Sequence, residues 1–309
     1  MIEVENLTKF YGTKQALDQV SFTVEKGEVL GFLGPNGAGK STTMKIITGF
    51  LSPTEGTVKV DGIDIVEKSL DVRKRIGYLP EHPPIYLDMS VKNYLEFTAK
   101  IRGVSGKHIK DSVDSVVEKC GLKKYYRAKC YSLSKGYRQR VGIAQAMVHN
   151  PMVLILDEPT IGLDPIQIVE IRELIRSFGG DHTVILSTHI LPEVEVTCER
   201  VVIISDGTVV TEGSTENLRK GLPNNDFLIV EVRGKSSDFH AKLETIKGIS
   251  EITSEKKDKD TTTYRIHSEN TGEISPEIAR AVINENLELL ELRNMSPTLE
   301  EIFIKVTMN

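Results

Sequence analysis

The 309-residue sequence predicts an α/β domain built on a parallel sheet, with a helical subdomain inside it and a small α+β domain behind it. Three observations carry that prediction. Short β-branched runs alternate with helical patterns over residues 1–220, as in layered α/β domains. Two amphipathic helical patterns interrupt this alternation over about 82–150. After "GLPNND", residues 221–226, a linker-like stretch, the order over 227–309 changes to strand, helix, strand, strand, helix, strand. Composition narrows the class. The net charge of -5 lacks the basic excess of a dedicated nucleic-acid binder, so that partner is not expected. Cys120, Cys130 and Cys198 show no CxxC spacing and read as reduced thiols. "MIEVENLTKF" has no signal pattern, and no apolar run approaches the ~20 residues that cross a bilayer. A cytoplasmic chain is expected, with any membrane role peripheral.

The elements follow in order. "GEVLGFLG", "VLILDEP", "HTVILSTH" and "ERVVIISDG" are near-continuous apolar runs, which suits strands buried on both faces. Between the first two lie the helical patterns. Val91, Tyr94, Leu95 and Ile101 are expected on one helical face. Ile109, Val113, Val116, Val117 and Cys120 are expected on another, with Gly121 ending that helix. The C-terminal order βαββαβ suggests a split-βαβ, ferredoxin-like fold. A last helix is expected from Ser296-Pro297, an N-cap followed by proline at the first helical position. Its apolar stripe would be Leu299, Ile302, Phe303 and Val306.

Chemistry begins at "GPNGAGKS": Gly34, Pro35, Asn36, Gly37, Ala38, Gly39, Lys40 and Ser41. The G-x-x-x-x-G-K-[ST] spacing between a strand and a helix defines a P-loop nucleotide-binding domain. Its glycines let backbone N–H groups wrap phosphate oxygens, Lys40 reaches the outer phosphates, and the Ser41 hydroxyl can ligate Mg²⁺. In "VLILDEPT", Asp157 ends a buried strand, where a carboxylate can hold Mg²⁺. Glu158 follows and is placed to act on an attacking water. His189, in "STHI", lies just past another strand and should reach the same sheet edge. One stretch is harder to place. "YSLSKGYRQR", residues 131–140, offers a second small-residue turn opening a basic helix, although one nucleotide does not need two phosphate turns from one chain.

The phosphate loop, "LSKGYRQR", "ILDEP", "GLD" and "STH", in this order, closely resemble the ATP-binding subunit of ABC transporters over residues 1 to about 217. The resemblance implies ATP and Mg²⁺ as cofactors. It implies ATP hydrolysis with Lys40, Glu158 and His189 in catalytic roles. It also implies phosphate-loop contacts through Thr42 and a metal site of Ser41, Glu81 and Asp157. Tyr11 matches the aromatic that stacks on adenine, and Phe10 beside it reads as core. Glu81 stands where most of the family has glutamine. "LSKGYRQR" resembles the family signature, departing from it at Lys135 and Tyr137. "IGLD", Ile161 to Asp164, resembles the D-loop. Two such domains close head to tail in the family, so Ser134 and Gly136 would serve the partner's ATP. The partners implied are a multi-span membrane permease and a second copy or a second ATP-binding subunit. The tail "SPTLEEIFIKVT" is similar to the ABC-2 export group, which includes drug and polysaccharide exporters. "YLPEHPPIYLDMSV" resembles its gliding-motility-type branch. Two other classes stay open: a soluble ATPase acting on ribosomes or DNA, and an ATP-responsive regulator with a ligand-binding C-terminal domain. The first would ordinarily carry two ATP domains in one chain or a long coiled-coil insertion, and neither is legible here.

Overall fold

A computed structural model describes residues 1–220, 227–234, 239–258, 260–268, 271–295, 300–301 and 303. It divides into two compact units, Met1–Thr215 and Glu216–Asn309. In the first, the chain runs β1 (Ile2–Tyr11), β2 (Lys14–Val24), β3 (Val29–Leu33), α1 (Lys40–Ile47), β4 (Glu55–Val60), β5 (Ile63–Asp64), α2 (Ser69–Arg75) and β6 (Ile76–Leu79). The helical insertion follows as α3 (Val91–Ile101), α4 (Ile109–Lys119) and α5 (Lys135–Met147). Then come β7 (Val153–Asp157), α6 (Pro165–Arg176), β8 (Thr183–Thr188), α7 (Leu191–Thr197), β9 (Arg200–Ser205) and β10 (Thr208–Ser214).

Two sheets organise this unit. The larger has the order β10-β9-β3-β8-β7-β6 and is parallel except for β10 at one edge. Every residue of β3, β7 and β8 is buried, which is why those strands read as unbroken apolar runs. The smaller sheet, β2-β1-β4-β5, is antiparallel. Its strands alternate buried and exposed positions, and none of them stood out in the sequence. Ile2, Leu7 and Phe22 from this sheet share one core with Phe32 and Ile155 from the other, and with Met44 and Ile46 of α1. That shared core fixes the smaller sheet against the phosphate-loop helix.

The helical faces hold with one exception. Ile109, Val113, Val116, Val117 and Cys120 are buried, as are Val91, Tyr94 and Leu95. Ile101 is 67% exposed. Ten residues beyond Val91 at about 100° per residue puts Ile101 just past Tyr94 at the edge of the buried stripe, and Thr98 and Ala99 fill that stripe instead. Phe10 is likewise not core; it is 40% exposed near the end of β1.

The second unit opens on α8 (Thr215–Lys220) and continues β11 (Phe227–Arg233), α9 (Phe239–Glu244), β12 (Ile249–Lys256), β13 (Thr261–Ser268), α10 (Thr271–Asn284) and β14 (Glu288–Met295). Its sheet order, β12-β13-β11-β14, with every neighbouring pair antiparallel, is the ferredoxin-like arrangement of a βαββαβ chain. Leu228, Val230 and Val232 of β11 pack with Phe239, Ile274, Ile278 and Val282 from the two helices. α10 begins at Thr271, ahead of the "SPEIARAVINEN" run, so Pro276 lies inside the helix. The stretch 221–226 and the expected cap Ser296-Pro297 lie outside the described residues, as do Leu299, Ile302 and Val306. Glu301, in the described part of that last helix, pairs with Arg265 at 2.9 Å.

Candidate nucleotide site

Four segments leave neighbouring strands at one edge of the large sheet. The phosphate loop follows β3, His189 follows β8, Asp157 and Glu158 close β7, and Glu81 lies just past β6. Parallel register aligns their departures: Leu33 pairs with Thr188, Asp157 with Ser187, and Leu79 with Leu156. Ligands of open α/β sheets sit at this carboxyl edge. The segments line a cleft of about 980 Å³ with Tyr11, Asn36, Gly37, Gly39, Lys40, Ser41, Thr42, Glu81, Glu158 and His189 on its walls.

The loop has its shape because its glycines are required. Gly37 and Gly39 have φ of 87° and 104°, a region costly for residues with a Cβ. A Cβ on Gly34 would lie 2.4 Å from the Ile204 carbonyl oxygen. Lys40 is buried, and its Nζ donates to the carbonyl oxygens of Gly34 at 2.8 Å and Pro35 at 3.2 Å. Burial lowers its pKa; the Glu158 carboxylate, 3.5 Å away, opposes that most strongly, followed by Asp157 and Glu81.

Glu158 is buried and takes a left-handed backbone, φ 50°, directly after the strand. His189 Nδ1 lies 2.9 Å from Glu158 Oε2 and 3.0 Å from Oε1. Lysine, glutamate and histidine therefore meet around one carboxylate. Asp157 is also buried, and Ser187 Oγ donates to its Oδ1 at 2.8 Å. Burial pushes its carboxyl pKa up; hydrogen bonds from Ser187 and Ser41 oppose this, and the charges of Glu158 and Glu81 add to it. A buried carboxylate joined to the Ser41 hydroxyl is a hard-oxygen donor set suited to Mg²⁺. Among the described residues no three His, Cys, Asp or Glu side chains cluster as a metal site.

Tyr11 ends β1 on the cleft wall and is half-exposed, with Lys9 Nζ 5.6 Å from its ring centroid. Ser134 and Gly136 do not line this cleft. Ser134 caps α5, its Oγ accepting from the Tyr137 N–H at 3.4 Å. A Cβ on Gly136 would lie 2.6 Å from Gln167 of α6. The cations behind the turn are engaged within the chain: Arg138 Nε donates to the Leu133 carbonyl, and Arg140 pairs with Glu170 at 2.7 Å. Sequence reasoning missed Lys14, Gln15, Ala16, Asp206 and Gly207, which complete the cleft wall. Asp206-Gly207 was detectable as the turn of a two-residue hairpin, with φ of 45° and 78°. Gly207 donates its N–H to the Ala38 carbonyl and accepts from the Asp18 N–H, so this turn links the phosphate loop to β2.

Comparison with known proteins agrees with this geometry. The family model for ABC transporters matches residues 17–161, and the model for the C-terminal domain of DrrA1-3-like ATP-binding proteins matches 213–307. The bacitracin transport ATP-binding protein BcrA of Bacillus licheniformis is 38% identical over 71% of this chain and 72% of its own length. The linearmycin resistance ATP-binding protein LnrL of Bacillus subtilis is 30% identical over 99% of this chain and 98% of its own. A solved dimeric ATP-binding cassette in a post-hydrolysis state, bound to ADP and Pi, superposes with a TM-score of 0.63 at 28% identity, over 69% of this chain and 98% of that one. The chain belongs to the ATP-binding subunits of ABC transporters, and its chemistry is ATP hydrolysis that powers transport. Among the described residues no helix is long and apolar enough to cross a membrane.

Proposed function

We propose that the chain is the motor of an export-type transporter, working as a two-ATP dimer on a separate multi-span permease at the inner face of the membrane. The observation that carries this reading is the meeting of Lys40, Glu158 and His189 in one cleft, with the Ser134 turn outside it. In the cleft, Tyr11 stacks on adenine and residues 34–42 wrap the phosphates. Ser41, Asp157 and Glu81 would hold Mg²⁺, which would supply neutralisation of phosphate charge. Glu158 accepts a proton from the attacking water as its oxygen bonds to the γ-phosphorus and the bond to the ADP oxygen breaks. His189 sets Nδ1 against the Glu158 carboxylate and leaves Nε2 for the γ-phosphate. The Ser134 hydroxyl, Gly136 and the amino end of α5 complete the partner's site, where a helix N-terminus favours phosphate.

Export is supported by the transport and resistance roles in the relatives' names and by the match to the DrrA-like C-terminal model. The segment from Glu81 to Leu95 offers the permease an exposed apolar edge at Tyr86 and Leu87. Among the described residues the second unit lines no part of the cleft, and it serves assembly or regulation. Glu158→Gln tests the catalytic assignment. It keeps the shape of the site but not the base, so ATP binding should persist while turnover falls by about 10²–10⁴. Steady-state hydrolysis near the wild-type rate would remove Glu158 from that role.

A further inference from the structure

We propose that Glu193 is a positioning residue that clamps the Glu158 and His189 segments together, an inference that rests on the catalytic reading of those two residues. Glu193 is fully buried on α7, away from the cleft. A fully buried carboxylate is costly unless its oxygens are met by donors. Here three elements supply them. Thr160 Oγ1, two residues past Glu158, donates to Oε1. Thr188 Oγ1, next to His189, donates to Oε2 at 2.8 Å. Arg172 of α6 brings Nη2 to 3.9 Å from Oε1.

The Thr188 hydroxyl has no freedom to turn. It also accepts from the Ile190 N–H at 3.1 Å, so its proton is committed to Glu193. One hydroxyl therefore fixes the backbone on both sides of His189. The other side of the clamp fixes the turn that begins at the left-handed Glu158. α7 is itself firmly seated, since a Cβ on Gly31 of β3 would come 2.2 Å from Val194. A rigid helix thus presents one two-oxygen acceptor to two loops, each of which carries half of the Glu158–His189 pair. Small displacements of catalytic groups cost about 10²-fold in rate, so such a clamp would act on turnover more than on nucleotide binding.

The test is a double-mutant cycle on the full chain, read as kcat and KM for ATP. Glu193→Asp keeps the charge beside Arg172 but is one methylene too short to meet both hydroxyls. It should lower kcat about tenfold with KM for ATP within about twofold of wild type. His189→Ala in the wild-type chain should cost about 10²-fold. In the Glu193→Asp chain it should cost only about tenfold more, leaving the double variant no worse than His189→Ala alone, because the histidine is already partly out of place. Thr160→Val, isosteric and leaving Arg172 its carboxylate, carries the same cycle if Glu193→Asp does not fold. Equal losses from His189→Ala in both backgrounds, or a rise in KM with kcat intact, would overturn the clamp. If His189→Ala costs nothing in the wild-type chain, the catalytic assignment itself fails, which is a different result.

Discussion

Two small-residue turns open helices in this chain, and they are built for different things. The turn at 34–41 is closed around its own purpose. Its glycines hold left-handed angles, its lysine is buried against the loop's carbonyls, and the Glu158 carboxylate just past β7 faces it. The turn at 134–136 is open. Ser134 is exposed and only caps its own helix, and the cations behind it are engaged with Leu133, Cys120 and Glu170. A helix N-terminus attracts phosphate wherever it faces one, but only the first turn faces a cleft of its own. Half a phosphate site on the surface makes sense when another chain supplies the other half.

The largest expected effect tests the closed turn. Lys40→Ala should weaken ATP binding and lower turnover by at least about 10²-fold, since it removes a buried cation set beside Glu158 and near Asp157 and Glu81. Titration with a fluorescent ATP analogue measures the binding; affinity within about twofold of wild type would show that the loop's backbone alone holds the phosphates. A second, intermediate test asks whether the cleft is self-sufficient. Every described residue lining it precedes residue 216, so a chain ending at 222 should bind ATP within about threefold of the full-length affinity. A folded truncation that does not bind ATP would show that the second unit contributes to the site.

The smallest effect concerns stability, away from both turns. His149 Nε2 lies 3.2 Å from the Ile76 carbonyl oxygen. Burial, then the charge of Arg102, lowers its pKa to about 4. A histidine ordinarily titrates near 6.5, so the unfolded chain binds the proton first and stability falls as pH drops from about 6.5 to 4. The loss is on the order of 2–3 kcal/mol over that window. His149→Gln should flatten this part of a denaturant midpoint against pH profile. An unchanged slope would assign the acid sensitivity to other groups.

The central strands and the phosphate loop were legible because burial on both faces and an unusual backbone leave strong marks in sequence. Leu154 and Ile155 have no polar alternation to confuse them, and the Gly37, Gly39 and Lys40 spacing has few other uses. The smaller sheet was not legible. Its alternation is broken by register shifts near Leu7 and Lys9, which blur the two-residue period. The far wall of the cleft was missed for a related reason. Lys14 and Asp206 are distant in sequence and meet only through the packing of the two sheets. Glu193 left no motif either, because a buried acid is explained by its partners, and Thr160 and Thr188 become its neighbours only in the fold. Ile101 shows the opposite error: an apolar residue near the end of a helix need not share the stripe of the residues before it.

The contrast between the turns is tested most directly by the ATPase rate of an equimolar mixture of Lys40→Ala and Ser134→Arg chains, each also measured alone. Ser134→Arg places bulk and charge on the open turn without touching the chain's own cleft. If the turn serves a second chain, both variants alone should be nearly inactive, because every site carries one lesion. In a mixed dimer one site collects both lesions and the other collects neither. The mixture should then recover up to about half the wild-type rate per mixed dimer, provided the two sites act independently. Wild-type hydrolysis by Ser134→Arg alone would contradict the account, and the turn at 134–136 would be no more than a capped helix.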